Sequence, residues 1–521
     1  MNRKRQFIFL ALALFFITTQ IFAIPPEIKL TVNKHRGNPG DTIVFKWTIK
    51  KNNNRVHNPR VRFDGRDIKA KDSYTWKATP GMHVMYLEMA WKEGMKDLPL
   101  TPEEEKAKAK AKKRGWKWKR ARKPYLTAVQ VVQIKSNKKA HFVHPGMFSS
   151  AAELNAIYYL VHRPGSNPVK DSIAEISKVT VSAPANPKRA YASLAWKPDP
   201  VKIVWPKSPD KARMFTDGRA VYMHALLWAA TGKQAHAKKA IEILNAWSAI
   251  FEDVRTKNGD IYNSLFSSWS ASHWLAGAEI LRYYKNHGRP SGWKQKDILR
   301  FEKMCRVFER LMLQWEGGAN VSGLQNQRLA VTRTCLLLGI FLNDQDLFDF
   351  GIYQIFERLD SGKKTIKKHG HPVNLVELTI AADGEIMEFN RDGAHGRASL
   401  NVLVNIAEIL RHQNMPAKYR LYDLKFGKDK VPRLLLGSEY AANAYYNGPV
   451  KLSFGKEFKN NEECEHSEQI VNYYKNYSKR KYPLPLTEKL NKQTRPKISH
   501  SYSLPWSTTT HAFPGPVRPR R

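Results

Sequence analysis

The sequence predicts a mainly α-helical protein preceded by a small all-β domain. Two observations support this prediction. Between Ile28 and Val132, apolar residues alternate with polar ones, which is the period of half-buried strands. From Ser150 onward, amphipathic helical patterns recur in pairs as far as Tyr446. Paired helices over that length favour a helical toroid or solenoid over a simple bundle.

The N-terminal residues predict an export signal. Positions 3–5 are basic, positions 7–17 are apolar but too few to span a bilayer, and Ala23 supplies a small residue at a cleavage point. We therefore expect residues 1–23 to be removed and the mature protein to be periplasmic or extracellular. No later apolar run has the length of a spanning helix, so we expect no membrane partner after cleavage.

Residues 24–137 form the predicted β domain. Four strand-like segments separated by turn residues predict a small immunoglobulin-like sandwich: IKLTVN, TIVFKWTIK, HVMYLEMAW and TAVQVVQIK. A basic insertion at residues 101–123 interrupts it, with eleven Lys and Arg against three Glu and with Trp116 and Trp118 among the cations. Two interpretations remain open: a solvated excursion, or a grip on a polyanion in which the indoles stack on sugar rings.

The helical domain is predicted over residues 141–511. At its start, Ser150 and Glu153 have the spacing of a capping box ahead of an apolar helix. The later helices are predicted at Thr216–Thr231, Gln234–Phe251, Trp269–Lys285, Asp297–Trp315, Leu324–Leu342, Asp346–Leu359, Ser399–His412 and Gly437–Tyr446. After Asn447 the chain is polar and Pro-rich, and we expect it to wrap the surface and end in a basic tail, residues 512–521.

The formal net charge of +41 is extreme. Such a charge suits nucleic acid, an anionic membrane surface or an acidic polysaccharide, and predicted export favours the polysaccharide over nucleic acid. The three cysteines, Cys305, Cys335 and Cys464, give neither a disulfide framework nor a zinc spacing. Cys305 and Cys335 fall in helical patterns and are interpreted as core thiols.

One stretch, residues 383–410, concentrates the candidate functional groups. Its sequence is DGEIMEFNRDGAHGRASLNVLVNIAEIL, in which ionisable residues crowd ahead of an apolar helix. These residues are Glu385, Glu388, Arg391, Asp392, His395 and Arg397. They indicate a site at the mouth of a helical scaffold, or else a solvated salt-bridge cluster.

Several segments in order resemble the alginate-lyase-like superfamily of polysaccharide lyases. They are HPGMFSSAAEL, TGKQAHAKKAIEILNAW, GGANVSGLQNQRLAVTRTCLLLGIFLNDQDLFDFGI, the stretch 383–410, LLLGSEYAANAYYNG, EQIVNYYKNY and LPWSTTTHA. The resemblance covers about residues 141–511. It implies an incomplete α/α toroid with a cleft for a uronic-acid polymer such as alginate, cut by β-elimination. The chain departs from the pattern at Val321 and Tyr473.

β-Elimination at a uronate needs three groups. Donors must neutralise the C6 carboxylate, a base must take the C5 proton, and an acid must protonate the departing O4. Asn320 is the predicted carboxylate contact, with a helix N-cap as the alternative reading. His395 is the predicted base, because imidazole titrates close to neutrality. Arg391 binds the carboxylate or orients Glu388, which we interpret as a substrate-binding or orienting residue.

The acid is predicted to be a tyrosine, Tyr446 or Tyr474, with core packing as the alternative for both. His273 is a further candidate base, and its neighbours Trp269 and Trp274 form either a sugar platform or part of the core. Asn472 and Arg397 are further predicted substrate-binding residues. His369 and His371 have an H-x-H spacing but no evident third ligand, so no metal or other cofactor is expected.

Two other functions remain open. A catalytically inactive polyanion-binding protein on the same scaffold is favoured by Val321, Tyr473 and the basic insertion. A glycoside hydrolase of similar toroid fold would need a carboxylate pair, which Glu385, Glu388 and Asp392 can supply. The sequence does not indicate an oligomeric state.

Overall fold

The computed structural model describes most of the helical part of the chain and much of the β part. The described residues are 27–34, 36–51, 60–64, 66–90, 105, 108–109, 112, 125–134, 136, 138–182, 201–205, 209–256, 260–316, 325–359, 368–459, 466–496 and 506–517. The predicted export signal, Asn320, Val321 and Cys464 lie outside them, as does nearly all of the basic insertion. Those predictions therefore stay predictions.

The chain divides into two compact units. The first unit comprises Met1–Thr79, His83–Ile134 and Gly317–Ala319, and the second comprises Pro80–Met82, Lys135–Glu316 and Asn320–Arg521.

The β part contains eight strands among the described residues. They are β1 (Glu27–Val32), β2 (Arg36–Gly37), β3 (Thr42–Lys50), β4 (Arg60–Phe63), β5 (Arg66–Asp67), β6 (Ser73–Lys77), β7 (Gly81–Ala90) and β8 (Tyr125–Ile134). They form a three-stranded sheet in the order β1-β3-β6 and a five-stranded sheet in the order β2-β8-β7-β4-β5. Most neighbours pair antiparallel, while β2 and β8 pair parallel.

The two short sheets share one apolar core. In β3 the side chains of Ile43, Phe45 and Trp47 are buried and alternate with more exposed positions, as expected for a strand with one face in the core. Val61 and Leu87 enter the same core from the other sheet. Two short sheets over one apolar core therefore follow from the alternation, while the immunoglobulin-like sandwich stays a prediction.

The rest of the chain is mainly helical, as predicted. The helices are α1 (Ala151–His162), α2 (Pro168–Ser182), α3 (Pro209–Thr231), α4 (Gln234–Ile250), α5 (Asp260–Tyr283), α6 (Gln295–Glu316), α7 (Gln325–Leu342), α8 (Gln345–Ile352), α9 (Leu375–Thr379), α10 (Gly393–His412), α11 (Arg433–Tyr446), α12 (Ser467–Asn476), α13 (Pro485–Gln493) and α14 (Ser507–His511). A short π-helix, Tyr353–Glu357, directly follows α8.

Short strands accompany the helices. They are β9 (Val201–Trp205), β10 (Phe251–Thr256), β11 (Lys285–Asn286), β12 (Arg289–Pro290), β13 (Val450–Lys451) and β14 (Glu457–Phe458). β9 and β10 pair parallel, whereas the other two pairs are antiparallel. No helix of the described residues is long and apolar enough to cross a membrane.

The helices contact one another in two layers. The helices α1, α3, α5, α7, α10, α12 and α14 form a closed series in which each contacts the next and α14 contacts α1 again. The helices α4, α6 and α8 each contact members of this series. α7 is buried along almost its whole length, whereas α4 buries one stripe of small and apolar residues. An α/α toroid requires this alternation of inner and outer helices.

Local signals explain how several of these helices begin. The capping box at the start of α1 is confirmed: the Ser150 hydroxyl accepts from the Glu153 N–H at 3.2 Å, and the Glu153 carboxylate accepts from the Ser150 N–H at 2.8 Å. Asp344 caps α8 and Asn374 caps α9 through side-chain oxygens that accept backbone N–H hydrogen bonds. Cys305 and Cys335 are buried, as expected for core thiols.

We expected the Pro-rich C-terminal region to wrap the surface, but part of it lies in the interior. Trp506 and all five residues of α14 are buried. The Thr509 hydroxyl is 2.6 Å from that of Ser172 in α2, and the Thr508 hydroxyl donates to Glu468 in α12 at 3.3 Å. Hydroxyl-bearing residues enter the interior here because each finds a polar partner, so this segment closes the helical series.

Candidate functional site

The loop between α9 and α10, residues 380–392, carries most of the charged residues that the sequence singles out. It turns at Asp383 and Gly384. Gly384 has a φ of 87°, and a Cβ added there would meet the carbonyl oxygen of Leu436 in α11 at 2.8 Å. Glycine alone tolerates both conditions well. The turn therefore fixes the loop against α11.

Glu385 anchors the loop from inside. Its buried carboxylate accepts from Lys368 Nζ at 3.1 Å, from Asn390 Nδ2 at 2.6 Å and from the Ser453 N–H at 3.2 Å. Ser453 lies in the turn between β13 and β14, so this hairpin clamps the loop. The role that the geometry gives Glu385 is support of the loop.

Glu388 ties together the loop, α7 and α10. Its side chain accepts from the backbone N–H of Asn326 at 2.8 Å and from Asn326 Nδ2 at 2.7 Å, and it accepts a short hydrogen bond from the Ser399 hydroxyl. Burial raises the pKa of Glu388, although the hydrogen bonds from Ser399 and Asn326 oppose that rise. Glu388 is only 4% exposed, so its carboxylate faces its protein partners rather than solvent. The role that this geometry gives Glu388 is to position Asn326 and Ser399.

A close contact explains how the loop can lie so near α10. A Cβ added to Gly396 would be 2.0 Å from Cδ1 of Phe389, so the Phe389 ring occupies the space of a missing side chain. Phe389 also stacks on Phe458 of β14, with ring centroids 4.2 Å apart. Glycine at position 396 thereby allows the segment that carries Glu388 to pack against the helix.

Asp392 and His395 form a dyad at the start of α10. Oδ1 of Asp392 accepts from the backbone N–H of His395 at 2.9 Å, which caps the helix. The same carboxylate lies 2.7 Å from Nδ1 of the His395 ring. Partial burial would raise the pKa of Asp392, but the hydrogen bonds from His395 and the charge of Arg391 outweigh it and lower the pKa.

The dyad leaves one imidazole nitrogen available. A carboxylate beside Nδ1 favours the tautomer that carries its proton there, so Nε2 keeps a lone pair. Among the residues that the structure describes, Nε2 of His395 has no hydrogen-bond partner, and 31% of the side chain is exposed. This histidine can therefore exchange a proton with a bound molecule.

Two arginines lie at the same end of α10. Nε of Arg391 is 3.8 Å from Asp392, and its side chain is 45% exposed. Nη1 of Arg397 lies 3.0 Å from the position that a Cβ on Gly393 would take. Guanidinium groups bind carboxylates through paired hydrogen bonds, so this end of α10 can receive an anionic group beside His395.

His273 and its tryptophan neighbours lie elsewhere. His273 is enclosed in α5, where burial and the charges of Arg219 and Arg333 lower its pKa to about 3. Trp274 is completely buried and donates to the carbonyl oxygen of Met214 in α3 at 3.2 Å. Trp269 is partly buried on the same helix. His273 and Trp274 therefore occupy the core position that the sequence left as the alternative.

The two predicted tyrosines make hydrogen bonds to residues outside the dyad. Tyr446, the last residue of α11, donates to Gln493 Oε1 at 2.7 Å. Tyr474 is buried in α12 and donates to the carbonyl oxygen of Tyr422 at 2.7 Å, and burial raises its pKa well above the ordinary value. Asn472, also in α12, is buried. Their catalytic and binding roles stay predictions.

Another tyrosine, Tyr440, does lie beside the loop. Its Cβ is 3.3 Å from the position that a Cβ on Gly384 would take. Burial, followed by the negative charges of Glu385 and Asp383, raises its pKa to about 12. Sequence reasoning missed Tyr440 because α11 carries several tyrosines and nothing local distinguishes this one.

Asn326 was also missed, although it stands in the segment that suggested Asn320. It is the second residue of α7, and its contact with Glu388 crosses to a loop that begins more than fifty residues later in the chain. Around His369 and His371, as elsewhere in the described residues, no group of three or more His, Cys, Asp or Glu that could hold a metal ion is found.

The sequence model of the alginate lyase family matches residues 177–423. The matched segment contains α3 to α10, and with them the loop 380–392 and the dyad. The resemblance to alginate lyases is therefore confirmed, and the match supports a polysaccharide lyase as the class of enzyme. Among curated protein sequences, none matches this chain.

Solved structures similar to the chain include three polysaccharide lyases. An alginate lyase from Bacteroides ovatus is 14% identical, with 70% of this chain and 98% of that chain covered and a TM-score of 0.45. Alginate lyase A1-III from Sphingomonas species A1 is 15% identical, with 57% and 80% covered and a TM-score of 0.39. A variant of A1-III is known in complex with a tetrasaccharide. The chondroitin AC lyase from Streptomyces coelicolor A3 is 13% identical, with 62% and 42% covered and a TM-score of 0.33.

Proposed function

We propose that this chain, whose residues 177–423 carry the alginate lyase pattern, is an exported enzyme that cleaves a uronic-acid polysaccharide by β-elimination. The observation that supports this most directly is the Asp392–His395 dyad beside two arginines at the start of α10. Its parts meet the first two needs of the reaction, a proton acceptor and cationic donors for the substrate carboxylate. Alginate is one candidate substrate among uronate polymers.

His395 acts as the base in this proposal. Asp392 holds the Nδ1 proton, so Nε2 takes the C5 proton of the uronate, and the carboxylate then stabilises the imidazolium that forms. The arrangement needs no movement of the dyad, because the N-cap hydrogen bond already fixes Asp392 against the helix. Pre-organisation of this kind avoids reorganisation during the proton transfer.

Arg391 and Arg397 neutralise the C6 carboxylate. Removing the C5 proton places negative charge on that carboxylate as an enolate-like intermediate forms, so cations beside it stabilise the transition state more than the ground state. Asn326 holds the start of α7 next to the loop through Glu388. Asn320, six residues earlier, lies outside the described residues, and its contact with the carboxylate stays part of the proposal.

We assign the role of the acid to Tyr440, which lies beside the loop 380–392. A general acid must carry its proton at the working pH, and a phenol with a pKa of about 12 does so. The acidic loop beside it disfavours the phenolate. When the leaving oxygen becomes negative, a nearby phenol can donate to it, after which solvent restores the proton.

The test is a substrate panel of alginate, pectate, hyaluronan and a heparinoid. A lyase produces an unsaturated uronate that absorbs in the far ultraviolet, and its products are one water lighter than hydrolysis products in mass spectrometry. We expect His395→Ala to lower kcat by roughly 10²- to 10⁴-fold. His371→Ala, an exposed histidine outside the dyad, is the matched control and should retain activity. Absence of elimination products on every polymer would refute the proposal.

A glycoside hydrolase is a second candidate because two carboxyl groups of one loop differ in acidity. Burial raises the pKa of Glu388, whereas the pKa of Asp392 is lowered, and hydrolases use one protonated and one ionised carboxyl group. Saturated products that have gained water would select this function. Binding of the polymers without any product would select a non-catalytic polyanion-binding protein.

A further inference from the structure

A second cavity lies at the opposite end of α10 from the dyad. Its volume is about 620 Å³, within the range of roughly 300 to 1,000 Å³ that small-ligand sites occupy. Residues from the end of α10, the segment 414–425, α12 and the segment 477–482 line it. His395 precedes Arg411, a lining residue, by 16 positions on the same helix, which corresponds to about 24 Å at the rise of an α-helix. The cavity is therefore separate from the proposed active site.

The lining of this cavity is strongly cationic. Four of its side chains have no ion-pair partner among the residues that the structure describes: Arg420, Lys425, Lys479 and Arg480. Arg411 also lines the cavity, but Glu153 and Glu408 bind it at 2.8 and 2.7 Å. Asp423 is the single carboxylate among the described lining residues. Four cations against one anion leave three uncompensated positive charges, which attract an anionic ligand.

Tyrosines form one wall of the cavity. The rings of Tyr422 and Tyr473 stack in parallel with centroids 4.1 Å apart, and the centroid of the Tyr477 ring lies 6.3 Å from that of Tyr473. The Tyr422 hydroxyl donates to Glu408 and the Tyr473 hydroxyl donates to Asp423. These hydrogen bonds hold the rings in place, so the wall needs no ordering when a ligand binds.

We propose that this cavity is a second, non-catalytic binding site for an acidic sugar unit of a polysaccharide chain. A uronate offers a carboxylate to the cations and C–H groups of its ring to the aromatic wall, whose electron-rich faces and edges favour such contacts. Inorganic phosphate would satisfy the cations alone. The choice of a sugar as the ligand rests on the proposed function. The preference for an anionic ligand follows from the charge and the shape of the cavity alone.

The double variant Lys479→Gln with Arg480→Gln tests the site. Both side chains are exposed, so the substitutions should leave the fold unchanged. The matched control, Lys294→Gln with Lys296→Gln, removes the same charge from an exposed segment at the start of α6. A uronate tetrasaccharide and inorganic phosphate are titrated calorimetrically into each protein, with His395→Ala added to every sample if the tetrasaccharide is cleaved.

We expect two tetrasaccharides to bind each wild-type chain. The double variant should weaken one of the two sites by roughly 2- to 30-fold, the range for two exposed ion pairs of about 0.2 to 1 kcal/mol each, while the control binds like the wild type. Tyr482→Leu, which shortens a ring lining the same cavity, should weaken the tetrasaccharide and spare phosphate.

Three results would overturn the proposal: a single site in the wild type, equal binding by the double variant and the wild type, or phosphate binding as tight as that of the tetrasaccharide. The last result would mean a simple anion site. The outcome is separable from that of the proposed function. Loss of binding in the double variant, together with no turnover of any polymer, would refute the lyase and keep this site. Turnover of a polymer by a protein with a single binding site would support the lyase and refute this site.

Discussion

Replacing Asp392 by Asn separates the two tasks that the structure gives this residue. Asp392 caps α10 through its bond from the His395 N–H at 2.9 Å, and it holds the His395 ring through Nδ1 at 2.7 Å. Asparagine is about as good an N-cap as aspartate, so Asp392→Asn should preserve the helix. Because asparagine is neutral, it cannot stabilise an imidazolium, and its amide can donate to Nδ1 and reverse the tautomer.

The expected magnitudes follow from exposure. The Asp392 and His395 side chains are 47% and 31% exposed, so in the ground state their attraction is worth less than about 1 kcal/mol. Asp392→Asn should therefore change the free energy of unfolding by only a few tenths of a kcal/mol, whereas Asp392→Ala loses the cap and costs about 1 kcal/mol. Catalysis depends on the charge, and we expect kcat to fall by roughly 10²-fold in both variants, the lower end of general-base effects.

The assay is initial rates by far-ultraviolet absorbance across pH, combined with urea unfolding of the same samples. His395→Ala, assayed in parallel, should show the loss of kcat expected when the proposed base is missing. An Asp392→Asn protein with unchanged stability and unchanged kcat would refute the dyad. Equal losses of stability in Asp392→Asn and Asp392→Ala would show that the carboxylate, rather than the cap geometry, supports the helix.

Three further predictions concern packing, pH and salt. Gly396→Ala should destabilise the protein by about 1 to 3 kcal/mol through its clash with Phe389, although alanine normally favours a helix, while Gly515→Ala, which meets open space, should be neutral in the same denaturation. Burial would raise the pKa of Glu408, but Arg411 and two histidines outweigh the effect of burial and lower the pKa. The ionised carboxylate therefore stabilises the fold at pH values above the unfolded-state pKa, and this contribution is lost as the pH falls through the folded-state pKa. Glu408→Gln should therefore cost several kcal/mol at pH 7 and less in acid, measured as Tm against pH. Polyanion binding should weaken steeply from low to physiological salt in a titration, because contacts to a polyelectrolyte release its counterions.

The sequence predicted the helices better than their beginnings. The C-terminal ends predicted from Gly and Asn turns, such as Thr231 and Leu342, agree with the structure. Several helices start earlier than predicted: α5 begins at Asp260, where the apolar pattern suggested Trp269. The residues between Asp260 and Trp269 include buried serines. One of them, Ser264, donates a hydrogen bond to the backbone carbonyl oxygen of Leu311. A prediction from the period of apolar residues misses buried polar residues whose hydrogen-bond partners lie on another helix.

The site was predictable where its contacts are local. Asp392 and His395 are three residues apart, the spacing of an N-cap and the residue whose N–H it accepts, so the cluster could be placed at a helix start from sequence alone. The partners of Glu388 could not, because Asn326 stands 62 positions away. Tyr440 was overlooked for the same reason: its proximity to Gly384 is created by the packing of α11.

The helix α10 links the proposed active site to the closure of the helical series. Its N-terminus carries Asp392, and its last turn carries Arg411 and His412, so charge at each end complements the helix dipole. At the C-terminal end, Glu153 of α1 binds both Arg411 and His412, at 2.8 and 2.6 Å, while His511 of α14 lies 3.3 Å from Glu408. These pairs join α1 and α14, the first and last helices of the series, to α10. Because the same helix carries the dyad about 24 Å away, a loosened closure would reach His395 only as a movement of the whole helix, and the strong interactions at its C-terminal end oppose that movement.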